Sequence, residues 1–346
     1  MSVFSARAQA CGNDPEKLHI EIYGPPGLRQ LVRTTLTLTH MKLSGKYVVH
    51  ELHPLDDDGS SAATGLPHPN ELVGRDVVED GQGFWEDIAN NTGFRVNAGV
   101  IEHRVFCVGY VFTEKKSNTM PPTYQSRRIV CLGDTSSAEH IVPLCISDDI
   151  YPSIVVHEAT NAWIPPRIDQ QRLYGGARKT PQSVREKAIS KGHSTPDMAG
   201  AFARSVKAER LALTHFSAMQ AGSFGGWDAI LTNAYLMREI ARQATVSWGR
   251  RGARAIAAHD LSWIDIPQSQ IEDVGPSISQ DPEELVWEPE IWDEPLEPDQ
   301  TEDNTSKRKW DGHHGEGRSR GSNWKRGRGR GRGGRGRGRG EHMTTN

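Results

Sequence analysis

The chain has 346 residues and a formal net charge of −3, with 36% hydrophobic residues, 35 Gly and 20 Pro. That length allows one large domain with tails or two modest ones, and the Gly and Pro share implies a stretch that does not pack. The four cysteines form no C-x-x-C pair and no apolar run reaches about 18 residues, which excludes a disulfide framework, a cysteine zinc knuckle and a membrane-spanning helix.

The opening, MSVFSARAQACGNDPEK, lacks the basic region and long apolar centre of a secretory signal. Residues 18–23, LHIEIY, alternate apolar and polar as a half-buried strand does. GPPG (24–27) breaks that strand, and residues 28–43 carry Leu28, Leu31, Val32, Thr35 and Leu38 at helical spacing. Residues 47–55 read as a strand, and 56–75, rich in Asp, Gly, Ser and Pro, as a surface loop. Residues 94–116 predict two strands around the turn-forming Asn97-Ala98-Gly99. Three apolar runs then climb to an acid or a histidine: RIVCLGD to Asp134, SIVVHE to His157 and Glu158, and LALTH to His215. Between the last two, Thr195 or Ser194 can cap a helix that begins at Pro196, which leaves His193 just before its amino end. Residues 227–244 predict a helix and 253–267 a last strand. Strands alternating with helices favour an α/β layered fold, in which ligands gather at the carboxyl ends of strands.

Among the histidines, His40, His50 and His53 read as ordinary structural groups. His103, Asp134 and His215 differ, because each ends or closes an apolar strand. Oxygen and imidazole nitrogen together suit zinc or a similar borderline divalent ion. GDT (133–135) alone is a weak signal. Followed in order by HEAT (157–160), HST (193–195) and LTHFS (213–217), it forms a pattern that chance explains poorly.

This set resembles the tRNase Z family, zinc endoribonucleases of the metallo-β-lactamase superfamily that remove the 3′ trailer of precursor tRNA. The resemblance runs from IEIYGPPGLRQLVRTTL to AAHDLSWIDIP, roughly residues 5–267. It implies an αββα sandwich and two zinc ions. It assigns His103 to the first zinc, Asp134 to a bridge between both, and His215 to the second. Glu158 and His193 match a pair that orients and shuttles a proton to the leaving oxygen. Chemically, a hydroxide held between two dications is a nucleophile at neutral pH, and a phosphodiester leaving group needs an acid.

Two departures accompany the resemblance. The family's H-x-H-x-D-H run is absent, and Met1 aligns just after its place, so the fold is expected to be incomplete at its amino end. About two protein ligands would then remain for each metal, predicting weak zinc binding and little cleavage. Only 18 residues separate Tyr110 from Ile129, too few for the longer arm that grips tRNA in many short members.

Beyond the domain, expected over residues 1–269, a disordered acidic linker is expected over 270–305, of which 272–303 hold 13 acids and no Lys or Arg, followed by a basic disordered tail over 306–346. Within that tail, 307–339 holds 13 bases, and its Arg-Gly repeat includes Arg326, Arg328, Arg330, Arg332, Arg335, Arg337 and Arg339. Arginine pairs with phosphate and stacks on bases, as Trp310 and Trp324 also can, so this basic tail predicts sequence-tolerant RNA binding. The resulting expectation is a tRNA 3′-end processing endoribonuclease acting on precursor tRNA or other RNA, with a homodimer as the family's usual state. The alternative is a non-catalytic RNA-binding paralogue or scaffold. The expected setting is intracellular, nucleus or cytoplasm, with the mitochondrion also open.

Overall fold

A computed structural model describes residues 3–6, 16–57, 65–89, 93–121, 123–169, 179–217 and 227–267. The acidic segment and the basic tail, with all seven of its predicted RNA-binding arginines, lie outside these residues.

Two sheets form the centre. The first contains β1 (Val3–Ala6), β2 (Leu18–Gly24), β3 (Lys46–His53) and β4 (Glu71–Leu72) in that order, with β5 (Asp76–Val78) also paired to β3. The second contains β6 (Phe84–Ala89), β7 (Phe94–Ile101), β8 (Cys107–Glu114), β9 (Arg128–Cys131), β10 (Ile154–Glu158), β11 (Leu211–Thr214) and β12 (Ile256–Ala257), in the order β12-β11-β10-β9-β8-β7-β6. Its β6 to β9 half is antiparallel, and its β9 to β12 half is parallel. Five helices accompany them among the described residues: α1 (Leu28–Leu38), α2 (Val142–Cys145), α3 (Pro181–Ser190), α4 (Pro196–Ser205) and α5 (Trp227–Trp248).

The layering follows from strand alternation, since neighbouring side chains point to opposite faces. On β2, Ile22 joins Tyr47 and Val49 under Leu28, Val32 and Leu36 of α1. Its neighbour Tyr23 turns the other way and packs with Leu52, Trp85, Ala98, Val108 and Tyr110, which closes the two sheets on each other. On the outer face of the second sheet, Val130, Val155, Leu211 and Leu213 pack against Phe202 of α4 and Leu236 and Ile240 of α5. Each fully buried Leu or Ile there contributes about 1.5–3 kcal/mol. The order helix, sheet, sheet, helix is therefore an αββα sandwich.

Local chemistry explains the joins. The GPPG turn ends at Gly27, whose φ of 88° suits glycine and starts α1. Gly200 lets α4 approach α5 closely, because a Cβ there would lie 2.2 Å from the Ala244 carbonyl oxygen. Arg128 is fully buried. It donates from Nε to Thr113 Oγ1 at 2.9 Å and from Nη1 to the carbonyls of Cys145, Ser147 and Ile150 at 2.9, 2.9 and 2.7 Å.

Several sequence expectations shift. Asn97-Ala98-Gly99 is not a turn but the middle of β7, paired with Val111, Tyr110 and Gly109 of β8. The chain reverses at 102–106 instead. Asn97 uses its side chain to accept from the Asp87 N–H at 3.0 Å, and Gly99 leaves room for Ile141. The expected loop at 56–75 contains β4, whose Glu71 accepts both ends of the Arg33 fork at 2.9 and 2.7 Å. The helix expected over 28–43 ends at Leu38. Thr195 does occupy the cap position of α4, but its hydroxyl donates to Asp197 Oδ1 at 2.6 Å and makes no cap to the backbone. Ser194 donates to the Thr135 carbonyl at 2.6 Å. Strand β6 and helix α3 have no counterpart in the sequence reading.

Candidate metal centre

Strands β9, β10 and β11 end nearly level, with Val156 opposite Cys131 and Glu158 opposite Thr214. The chain leaves each of them at the same edge, and His215 makes its exit with a left-handed φ of 56°. Asp134, Glu158, His193 and His215 thereby present ligand atoms that all lie within 4.8 Å of one another. His103, in the reversal between β7 and β8, stands beside this group. Its ring centroid is 5.1 Å from that of His193, which is 5.5 Å from that of His215.

Glu158 is buried and its acceptor sites are filled. Oε1 accepts from the Thr135 N–H at 2.6 Å and from His193 Nδ1 at 3.0 Å. Oε2 accepts from the Ser194 N–H at 3.1 Å and from the Thr160 hydroxyl at 2.5 Å. A carboxylate so occupied fixes its neighbours and has little left to offer a cation. Asp134 and His215 are the open members, with side chains 42% and 49% exposed and His215 Nδ1 3.4 Å from Asp134 Oδ1.

Hydrogen bonding sets the imidazole tautomers. The single hydroxyl proton of Thr160 goes to Glu158, so His215 Nδ1–H donates to Thr160 Oγ1 at 2.8 Å. His103 Nδ1–H donates to the Gly192 carbonyl at 2.6 Å, and His193 Nδ1–H to Glu158. Each ring is left with Nε2 as its lone-pair nitrogen, the arrangement found around histidine metal ligands. Gly192 has a φ of 76°, and a Cβ on it would sit 2.5 Å from His103 Nδ1, so glycine is required there. By contrast His157 is wholly buried against Phe202 and donates to the Glu158 carbonyl at 2.8 Å. Burial holds its pKa below the ordinary value, the mark of a neutral structural histidine.

Nitrogen and carboxylate donors, pre-aligned lone pairs and partial exposure fit a borderline divalent ion such as zinc. A groove lined by His103, Arg104, Ser136, Ile189 and Gly192 opens alongside. The sequence reading gathered the five chemical residues but missed their supports: Thr135, Thr160, Ser194 and Gly192. All four lie inside or beside the GDT, HEAT and HST motifs.

No family model matches the chain. The human zinc phosphodiesterase ELAC protein 1 is 28% identical over 256 residues, covering 60% of this chain and 64% of that protein. Ribonuclease BN of Cronobacter sakazakii is 30% identical over 207 residues, covering 57% and 60%. The chain therefore spans less than two thirds of these relatives. The crystal structure of human tRNase Z, short form, aligns at 28% identity with a TM-score of 0.43, covering 71% of this chain and 68% of that one. The metallo-beta-lactamase fold protein YhfI from Bacillus subtilis aligns at 14% identity with a TM-score of 0.36, covering 65% and 68%.

Two facing sheets flanked by helices, with the donor cluster at the carboxyl ends of parallel strands, make this an αββα-sandwich protein with a candidate metal centre. Within that class the chain is a homologue of the tRNase Z and ribonuclease BN proteins.

Proposed function

We propose that this domain serves zinc-dependent hydrolysis of RNA phosphodiesters, with the 3′ trailer of precursor tRNA as the substrate class. The convergence of Asp134, His215 and His103 around His193, itself held by buried Glu158, carries this reading. Asp134 and the Nε2 atoms of His215 and His103 would hold the ion. Zinc bound there would activate water and offset phosphate charge. His193, held through Nδ1, would take up a proton from solvent at Nε2 and pass it to the leaving oxygen. Glu158 keeps that ring in place. Exposed Arg104, at the rim of the groove, meets the substrate backbone, and the arginines of the basic tail add salt-sensitive contact with RNA. Homodimerisation and a nuclear or cytoplasmic location belong to the same proposal.

One observation favours a second reading, an RNA-binding scaffold. The 346 residues contain no H-x-H-x-D-H run, and the described donors suffice for one ion rather than two. The test compares this chain with a version joined to an upstream segment carrying that run, using precursor tRNA and bound-zinc analysis. The extended protein is expected to cleave at the trailer, and His193→Ala to slow it by about 10²–10⁴-fold. The chain alone is expected to bind zinc weakly and cleave little. Undiminished cleavage by His193→Ala and Asp134→Ala would reject the catalytic assignment.

A further inference from the structure

A second constellation lies on the first sheet, on the face that carries α1. Glu51 and Asp76 are register partners across β3 and β5, and His53 follows Glu51 by one strand repeat, so all three share that face. Their donor atoms also lie within 4.8 Å of one another.

His53 is the informative member. Its Nδ1 is bonded to the Asp57 carboxylate, which assigns the ring proton to that side. Its Nε2 is buried and has no hydrogen-bond partner. That nitrogen instead faces Glu51 Oε2 at 3.9 Å and Asp76 Oδ1 at 3.8 Å. Three lone-pair atoms thus point toward one spot, a repulsive arrangement unless a cation lies between them. Arg29 supplies part of the charge, from Nη1 to Glu51 at 3.3 Å and from Nη2 to Asp76 at 2.5 Å. One guanidinium against Glu51 and Asp76 leaves a net negative charge between them, which favours a further cation. The spacing is near that of ligands around a zinc-class ion, whose bonds of about 2.0–2.2 Å bring donors to roughly 3.3 Å from each other. Asp76, with a side chain 56% exposed, gives the ion a way in.

We infer that Glu51, His53 and Asp76 form a further binding site for a first-row divalent transition ion, zinc foremost, with Asp57 orienting the histidine. A carboxylate on the far ring nitrogen is the usual device for aiming a ligating imidazole. The site is independent of the phosphodiesterase reading, because it shares no residue with the strand-end cluster.

The test uses the full chain with Asp134→Ala, His193→Ala and His215→Ala combined, which silences the first cluster. Cobalt(II) titration followed by visible absorption, and zinc titration against a chelator, read the remaining site. This background is expected to bind one ion that is lost, at least tenfold in affinity, on adding His53→Ala or Asp76→Asn. Asp57→Asn weakens it by about tenfold through orientation alone. Arg29→Gln, which removes the competing cation, tightens it. If His53→Ala fails to fold, exposed Asp76→Asn carries the comparison. Titrations unchanged by both substitutions, or a background that binds no ion, would mean that His53 Nε2 simply carries a proton, and the inference falls.

Discussion

Thr160 Oγ1 lies 2.8 Å from His215 Nδ1, with its own proton committed to Glu158 Oε2 at 2.5 Å. The hydroxyl thus links a buried carboxylate to a half-exposed imidazole and settles which nitrogen of His215 faces the cation pocket. Thr160→Val keeps the side-chain shape and removes this link. The expected result is about tenfold weaker zinc binding in equilibrium titration. Thermal unfolding should also report a loss of about 1–3 kcal/mol, because buried Glu158 loses a donor. Unchanged zinc affinity would show that the tautomer is set elsewhere.

Mild acid should destabilise the fold through His157. Above its ordinary value of 6.5 the folded and unfolded residue are both neutral, and it adds no pH dependence. Below 6.5 the unfolded chain takes up a proton that the buried ring refuses, so stability falls as pH drops toward the depressed folded value. Buried His50 acts in the same direction. Arg127 holds the Glu114 carboxyl at about 2, so that pair loses stability only at much lower pH, between the ordinary 4.5 and 2. Urea midpoints measured from pH 7.5 to 5.5 should decline, and His157→Gln should flatten the decline. An identical slope in the variant would remove His157 as the cause.

Gly99 and Gly109 oppose each other in the β7 and β8 ladder, directly beneath Ile141. A Cβ on Gly99 would meet Ile141 Cγ2 at 2.6 Å, Phe84 Cδ1 at 3.1 Å and Leu144 Cδ1 at 3.2 Å. Gly99→Ala is expected to cost about 1–3 kcal/mol by overpacking. Gly93, with open space around it, provides the control, and Gly93→Ala should cost far less. Calorimetric unfolding of the two variants measures the difference.

The legible parts of the sequence were those where pattern and chemistry coincide. Continuous apolar runs ending in Asp134, Glu158 and His215 marked strands that finish at one sheet edge, and the family resemblance added His103 and His193 to the same site. What escaped was decided by contacts distant in sequence. Asn97-Ala98-Gly99 has turn composition, yet packing under Ile141 and the bond to Asp87 hold it extended. Strand β6 hides because Asp87 interrupts it with a φ of 48°, which spoils the alternation. His53 read as a structural histidine because Asp76 reaches it only once β3 and β5 pair.

Arg128 works from the opposite end of the same strands. Its carbonyl accepts from the Ser153 N–H at 2.8 Å while its own N–H donates to Ser153 Oγ at 3.3 Å. Its guanidinium meanwhile gathers three carbonyls of the intervening loop, as a bound cation would. A lysine could not replace it, since a single ammonium lacks the planar fork that reaches Thr113 and the loop together. The start of β10 is thereby clamped against β9, and a slip of one residue would turn Glu158 to the other face of the sheet. The alignment of the reactive edge is thus dictated by a buried anchor with no chemistry of its own, at the other end of the strands.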